Sequence, residues 1–179
     1  MPSDGEELKD QLLAVLASPD HRGPTVFRLT TCLGAEAGTA ASVLDVDLVN
    51  GVGRMTTQTA EWLFSGPRCW TRVFGAPGWH ASTGNVEQHL DNAAQFLDPL
   101  KLEELVGHPE AVTGVVSHEG ARVLEVALGD PGQFVVTVDP ATGWVLAASI
   151  RSQRRRDLVF DFRFSRFDVP VEVAVPPPA

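Results

Sequence analysis

The stretch Leu158-Val159-Phe160-Asp161-Phe162-Arg163-Phe164 decides the fold, because three Phe fall at every second position with charged residues between them. A strand sends successive side chains to opposite faces, so the run predicts a strand with an aromatic face and a polar one. Upstream lies the turn Asp139-Pro140-Ala141-Thr142-Gly143, and then a second alternating run from Trp144 to Ser152. Alternating runs joined by short turns form antiparallel neighbours, since parallel strands need a long crossover.

Working outward, the same period of two recurs over Thr113 to Ser117, Arg122 to Leu128, Phe134 to Val138 and Val171 to Val175. Turn residues at Glu119-Gly120 and Asp130 to Gly132 punctuate these runs. In the N-terminal half, Phe27, Leu29, Thr31 and Leu33 alternate with polar residues, and Leu44, Val46 and Leu48 alternate with Asp45 and Asp47. That second run predicts a half-buried strand with its acidic side in water. Arg54 to Gln58, Trp62 to Phe64 and Cys69 to Phe74 predict further short strands, and Gly75 to Gly84 a loop or a very short strand.

Three segments carry helical spacing instead. Ser3 with Glu6 is a capping box, followed by Leu8, Leu12, Val15 and Leu16. Val86, Leu90, Ala93, Ala94 and Leu97 predict a second helix, and Asp98 before Pro99 caps a third that runs to Val106. The order predicts an α+β fold in one domain over residues 1–179. Its sheet is a strongly curved antiparallel sheet or open β-barrel wrapped around helices on the concave face.

Composition narrows the function. The 179 residues are 44% apolar and 21% charged, ordinary globular usage. A net charge of −9 repels a phosphate backbone, so no nucleic-acid partner is expected. No window approaches the roughly 20 apolar residues of a transmembrane helix. The start, Met1-Pro2-Ser3-Asp4-Gly5-Glu6-Glu7, has no basic or apolar signal region, which predicts a cytoplasmic protein as written, or a cell-envelope protein if the sequence is a mature fragment. Cys32 and Cys69 are too few for a zinc motif and leave two alternatives, a disulfide or two buried thiols. No cofactor is expected.

In its C-terminal half the chain resembles the LolA/LppX-like lipoprotein-carrier fold, on the turn Val138-Asp139-Pro140-Ala141-Thr142-Gly143-Trp144-Val145-Leu146, the strand bearing Phe160, Phe162, Phe164 and Phe167, and the Pro-rich finish from Val169 to Pro178. Asp45 to Met55 and the helix start Leu97-Asp98-Pro99-Leu100 follow in the order of that group's LppX and LprG branch. The resemblance implies an unclosed antiparallel barrel around helices, with a hydrophobic cavity that carries acyl chains or lipoproteins, and no enzymatic activity. The lipidated cysteine of the group is missing near the start.

The candidate ligand-binding residues are Leu44, Val46, Leu48, Trp62, Phe64, Trp70, Trp144, Leu146, Phe160, Phe162 and Phe164. Alternation is satisfied equally by a solid core and by a hollow one, so two readings stand: a carrier of a hydrophobic small molecule or acyl lipid, and a module with a filled core that recognises a protein partner through an edge strand or the Gly75 to Gly84 loop. Trp62, Trp70 and Trp79 could line a cavity mouth or shield a sheet edge. A hydrolase would need a nucleophile and a base, for which Cys69 with His80 or His89 is the sole combination, without a G-x-S-x-G elbow. Arg151, Arg154, Arg155 and Arg156 form one basic run, read as solvated turn charges or as a contact for an anionic surface.

Overall fold

Most of the alternating runs become strands, and most of these bond to their neighbours in the chain. The computed structural model describes residues 4–33, 40–93, 106–117, 123–128, 134–151 and 159–176. Among these residues eleven strands form one sheet: β1 (Val26–Leu33), β2 (Ala40–Asp47), β3 (Val52–Thr57), β4 (Ala60–Ser65), β5 (Arg68–Val73), β6 (His80–Thr83), β7 (Val112–Ser117), β8 (Leu124–Leu128), β9 (Phe134–Val138), β10 (Val145–Arg151) and β11 (Val159–Ser165). Their order is β6-β5-β4-β3-β2-β1-β11-β10-β9-β8-β7, so β1 meets β11, and among the described residues β6 and β7 part to opposite ends. The helices among the described residues are α1 (Asp4–Leu16) and α2 (Val86–Ala93), with a 3-10 turn at Pro109–Ala111.

The chain divides into two compact units, each assembled from separate stretches, and β11 starts in one and ends in the other. One unit comprises Met1–Gly23, Leu33–Ala37 and Asp98–Phe162. Here β7, β8, β9 and β10 pair antiparallel in sequence order, with Val126 opposite Val136 and Leu124 opposite Val138. These four side chains are buried, as are Leu12 and Leu16 of α1. The helix is held to the sheet by Lys9, whose ammonium donates to the Val112 carbonyl at 3.1 Å. Gly143 closes the β9–β10 turn at φ 70°, and a Cβ there would lie 2.9 Å from Leu16 Cδ2, so the turn needs glycine for conformation and for room.

The other unit comprises Pro24–Cys32, Gly38–Leu97 and Arg163–Ala179. Strands β1 to β6 form an antiparallel meander in register, with Phe27 opposite Val46, Val46 opposite Gly53, and Gly53 opposite Phe64. The meander follows from short polar turns. Asp47 accepts the Asn50 backbone N–H at 3.0 Å and the Asn50 amide at 2.7 Å, which folds the β2–β3 turn onto Gly51 at φ 63°. Helix α2 starts with Asn85, whose side chain accepts the Gln88 N–H at 2.8 Å.

Several sequence expectations shift. Val171 to Val175 forms no strand, because Pro170 and Pro176 bracket it and proline has no N–H to enter a ladder. Gly75 to Gly84 holds the four-residue strand β6 after a turn with Gly75 and Gly78 at positive φ. The third helix after Pro99, the turns at Glu119-Gly120 and Asp130 to Gly132, and Ser3, Leu158 and Arg154 to Arg156 lie outside the described residues.

Candidate ligand-binding site

Alternation gives β1 to β5 two faces of opposite chemistry. On the first, Phe27 and Leu29 of β1, Leu44 and Val46 of β2, Met55 of β3, Phe64 of β4 and Cys69 of β5 are all buried. Helix α2 covers this face at Gly53. A Cβ there would meet Val86 Cγ2 at 2.8 Å and the Asp45 carbonyl oxygen at 3.1 Å, so the missing side chain is what lets the helix approach. One turn on, the His89 ring rests against Phe64 with centroids 5.1 Å apart and against Trp62 at 6.1 Å. Burial against these rings lowers the His89 pKa from its ordinary value, since the charged form would lose its water. Phe164 packs on Phe27 at 5.7 Å.

The second face carries a ladder of alternating charge. Arg28 of β1 donates Nε to Asp45 Oδ1 and Nη2 to Asp45 Oδ2, both at 2.7 Å. That fork holds the Arg28 guanidinium above even its ordinary high pKa. Asp45 faces Arg54 of β3 directly across the register. Arg54 Nε reaches Glu61 Oε1 of β4 at 2.5 Å, and Arg72 Nη2 of β5 reaches Glu61 Oε2 at 2.6 Å. Arg72 then stacks over the Trp79 ring, its guanidinium carbon 4.8 Å from the centroid. Glu61 is only 3% exposed, and two cations neutralise it there. The acidic side of β2 is therefore not left to water. Asp45 is bonded to arginine, and Asp47 is buried with its pKa lowered by the hydrogen bonds from Asn50.

A groove of ≈ 340 Å³ opens on this charged side, lined by Phe27, Arg28, Asp45, Arg54, Arg166, Val169, Pro170, Val171 and Glu172. Its far wall is the extended segment after β11. That segment leaves the strand through Arg166 at φ 53° and Asp168 at φ 59°, and the Asp168 N–H is bonded to the Val26 carbonyl at 3.0 Å.

The candidate residues fall into three groups. Leu44, Val46, Trp62 and Phe64 share the apolar face under α2, the first two and Phe64 buried and Trp62 half-buried. Trp70 stands on the opposite face, because it pairs with Leu63 and not with Phe64. Leu48 lies in the turn after β2, its N–H bonded to the Thr25 carbonyl. In the C-terminal strands Phe162 and Phe164 are buried and Phe160 and Leu146 half-buried, while the Trp144 indole donates to the Arg22 carbonyl at 2.7 Å. Cys32 and Cys69 are buried free thiols, so the disulfide alternative falls. Cys69 pairs with Ser82, and His80 pairs with Thr71. Among the described residues no hydrogen bond joins Cys69 to either histidine.

Arg28, Arg54, Glu61 and Arg166 were not candidates from the sequence. Their signal is present in it, as charges alternating with the apolar residues of the same strands, and it is indistinguishable from an ordinary solvated face until the register aligns opposite signs.

No protein-family model matches the chain, and no curated protein does. Solved structures do. The chain is similar to MucB, at 19% identity over 96% of its length and a TM-score of 0.45, and spans 62% of the MucB chain. It is similar to the structure of the Pseudomonas aeruginosa MucA/MucB complex at 14% identity and a TM-score of 0.36, over 94% of this chain and 58% of that one. The third likeness is to the protein NE2245 from Nitrosomonas europaea, at 9% identity and a TM-score of 0.28, over 94% and 96% of the two chains. NE2245 is described as a LolA superfamily protein, the group whose fold the sequence resembles.

Proposed function

We propose that this protein is a non-catalytic binding module that takes an extended protein segment along strand β6. One observation carries the reading. Among the described residues β6 ends the sheet order and is bonded to β5 alone, and all four of its residues are exposed. An end strand presents a row of backbone donors and acceptors, and a peptide that adds itself as the next strand satisfies them. The flanking chemistry favours an acidic segment with apolar side chains. Trp62 to Val86 contains no Asp or Glu in a chain of net charge −9, while Arg68 and Arg72 are exposed beside the strand. Val73 and Phe74, 48% and 46% exposed, supply apolar surface at the same hairpin.

The test is a titration with an alternating Glu-Val octapeptide and its Lys-Val counterpart, followed by hydrogen exchange at β6. The acidic peptide should slow exchange of β6 amides and lose affinity as salt rises, and the basic one should do neither. Unchanged exchange at β6 with both peptides overturns the reading.

A second reading rests on the apolar face of β1 to β4 and on the resemblance to lipid carriers, and places a hydrophobic small molecule or acyl lipid against that face. The close seating of Val86 on Gly53 favours the first reading, since it fills the space there. Native mass spectrometry of the purified protein decides between them. Co-purifying acyl lipid that Trp62→Arg abolishes would establish the carrier.

A further inference from the structure

We propose that the groove beneath Arg166–Glu172 is a binding site for a monocarboxylate, carried either by a small organic acid or by the C-terminal end of a peptide. This site is separate from the β6 edge and does not depend on it.

Its donors are the first reason. A guanidinium has five N–H groups in a planar fork. Among the described residues, Arg28 commits Nε and Nη2 to Asp45, Arg54 commits Nε to Glu61, and Arg166 commits none. The rest are uncommitted, on three guanidinium groups around one volume of ≈ 340 Å³. Both oxygens of Asp45 and both of Glu61 are occupied by arginine, so the ladder orients Arg28 and Arg54 without exhausting them. The lining holds three cations against two carboxylates, a local reversal of sign in an acidic protein. A carboxylate accepts two parallel N–H bonds from such a fork, which gives it geometry as well as charge.

Backbone geometry is the second reason. Arg166 holds φ at 53°, a region that non-glycine residues other than Asn and Asp seldom occupy, and Asp168 repeats it at 59°. Such conformations persist where surrounding bonds impose them. Here the bonds are Asp168 N–H to the Val26 carbonyl at 3.0 Å and Val169 N–H to the Arg166 carbonyl at 3.3 Å. Together they place Arg166 among the groove's lining residues.

The third reason is the wall. Val169, Pro170 and Val171 line this side and Pro170 has no N–H, so it suits a carbon skeleton. Glu172 sets the charge of the ligand. Its carboxylate, without an ion pair among the described residues, opposes a dianion more than a monoanion, and so favours a carboxylate over a phosphate.

The experiment follows the arginine Nε–Hε signals of the ¹⁵N-labelled protein at constant ionic strength. The probes are acetate, butyrate, inorganic phosphate, and two hexapeptides that differ only in a free or amidated C-terminus. Saturable shifts of the Arg54 and Arg166 signals are expected with butyrate or with the free-terminus peptide. Butyrate alone identifies small acids as the source, and the peptide alone identifies a chain end. Arg166→Asn, chosen because Asn tolerates positive φ, should weaken binding about tenfold or more, as should Arg54→Gln, with the remaining spectrum unchanged. Shifts that never saturate, equal binding of the amidated peptide, tighter binding of phosphate, or unaltered affinity in both variants would each overturn the proposal.

Discussion

The two faces of β1 to β5 are made by the same residues of chain, one position apart, and behave oppositely. The face under α2 is apolar and closely packed, with Phe27, Val46 and Phe64 at 1% exposure or less. The other is ordered by charge and still has open volume beside Arg28, Asp45 and Arg54. Apolar side chains gain from every contact, so they close up until no space remains. Charged side chains gain only from correctly placed opposites and keep their remaining donors in water, so they leave room for a ligand. Open volume between β2, β3 and the segment after β11 therefore lies on the side that alternation alone marks as solvated.

The largest test of this contrast is Phe64→Ala. It opens a cavity in the packed face and should destabilise the protein by about 3–5 kcal/mol, read as a lower denaturant midpoint at unchanged slope. A loss near zero would mean that the face is already hollow, and would return the carrier reading to first place.

Next is Glu61→Ala, which strips the shared partner from Arg54 and Arg72. About 1–3 kcal/mol should be lost, because Glu61 is buried and both bonds are charge-assisted. Arg54→Gln should cost less than about 1 kcal/mol, since its side chain is 53% exposed and water replaces the pair. Equal losses in the two variants would show that the ladder is not organised around Glu61.

The smallest effect is the pH response of His89. Its folded-state pKa is lowered by burial, so between that value and the ordinary one of about 6.5 the unfolded chain holds more protons. Stability is then fully present above about pH 6.5 and declines as pH falls toward the folded value. Asp47, also lowered, adds its loss only in the carboxylate range, well below this window. His89→Phe keeps a ring against Trp62 and Phe64 and should flatten the stability profile just below about pH 6.5. An unchanged profile would place the titration elsewhere.

Much of the fold was legible because its signals are local. Alternation marks Phe134–Val138 to the residue, and β10 and β11 to within two residues at either end, since period two survives whatever the strand pairs with. Val171 to Val175 misled because it has the same alternation without a ladder to join. Asp45 and Asp47 misled because a carboxylate looks solvated until the residue that binds it is known. In one case that is Arg28, 17 positions away, and in the other Asn50, three positions on through a turn.

By itself the sequence determined most of the strands, the antiparallel pairing of those joined by short turns and which side chains share a face, because side-chain alternation and turn chemistry act over a few neighbouring residues. Only the tertiary structure decided which face is filled and which holds a groove. That outcome depends on α2 seating on Gly53, on the register that sets Arg54 opposite Asp45, and on the segment that brings Arg166 to the same groove as Arg28. These are contacts between distant parts of the chain, and no local period encodes them.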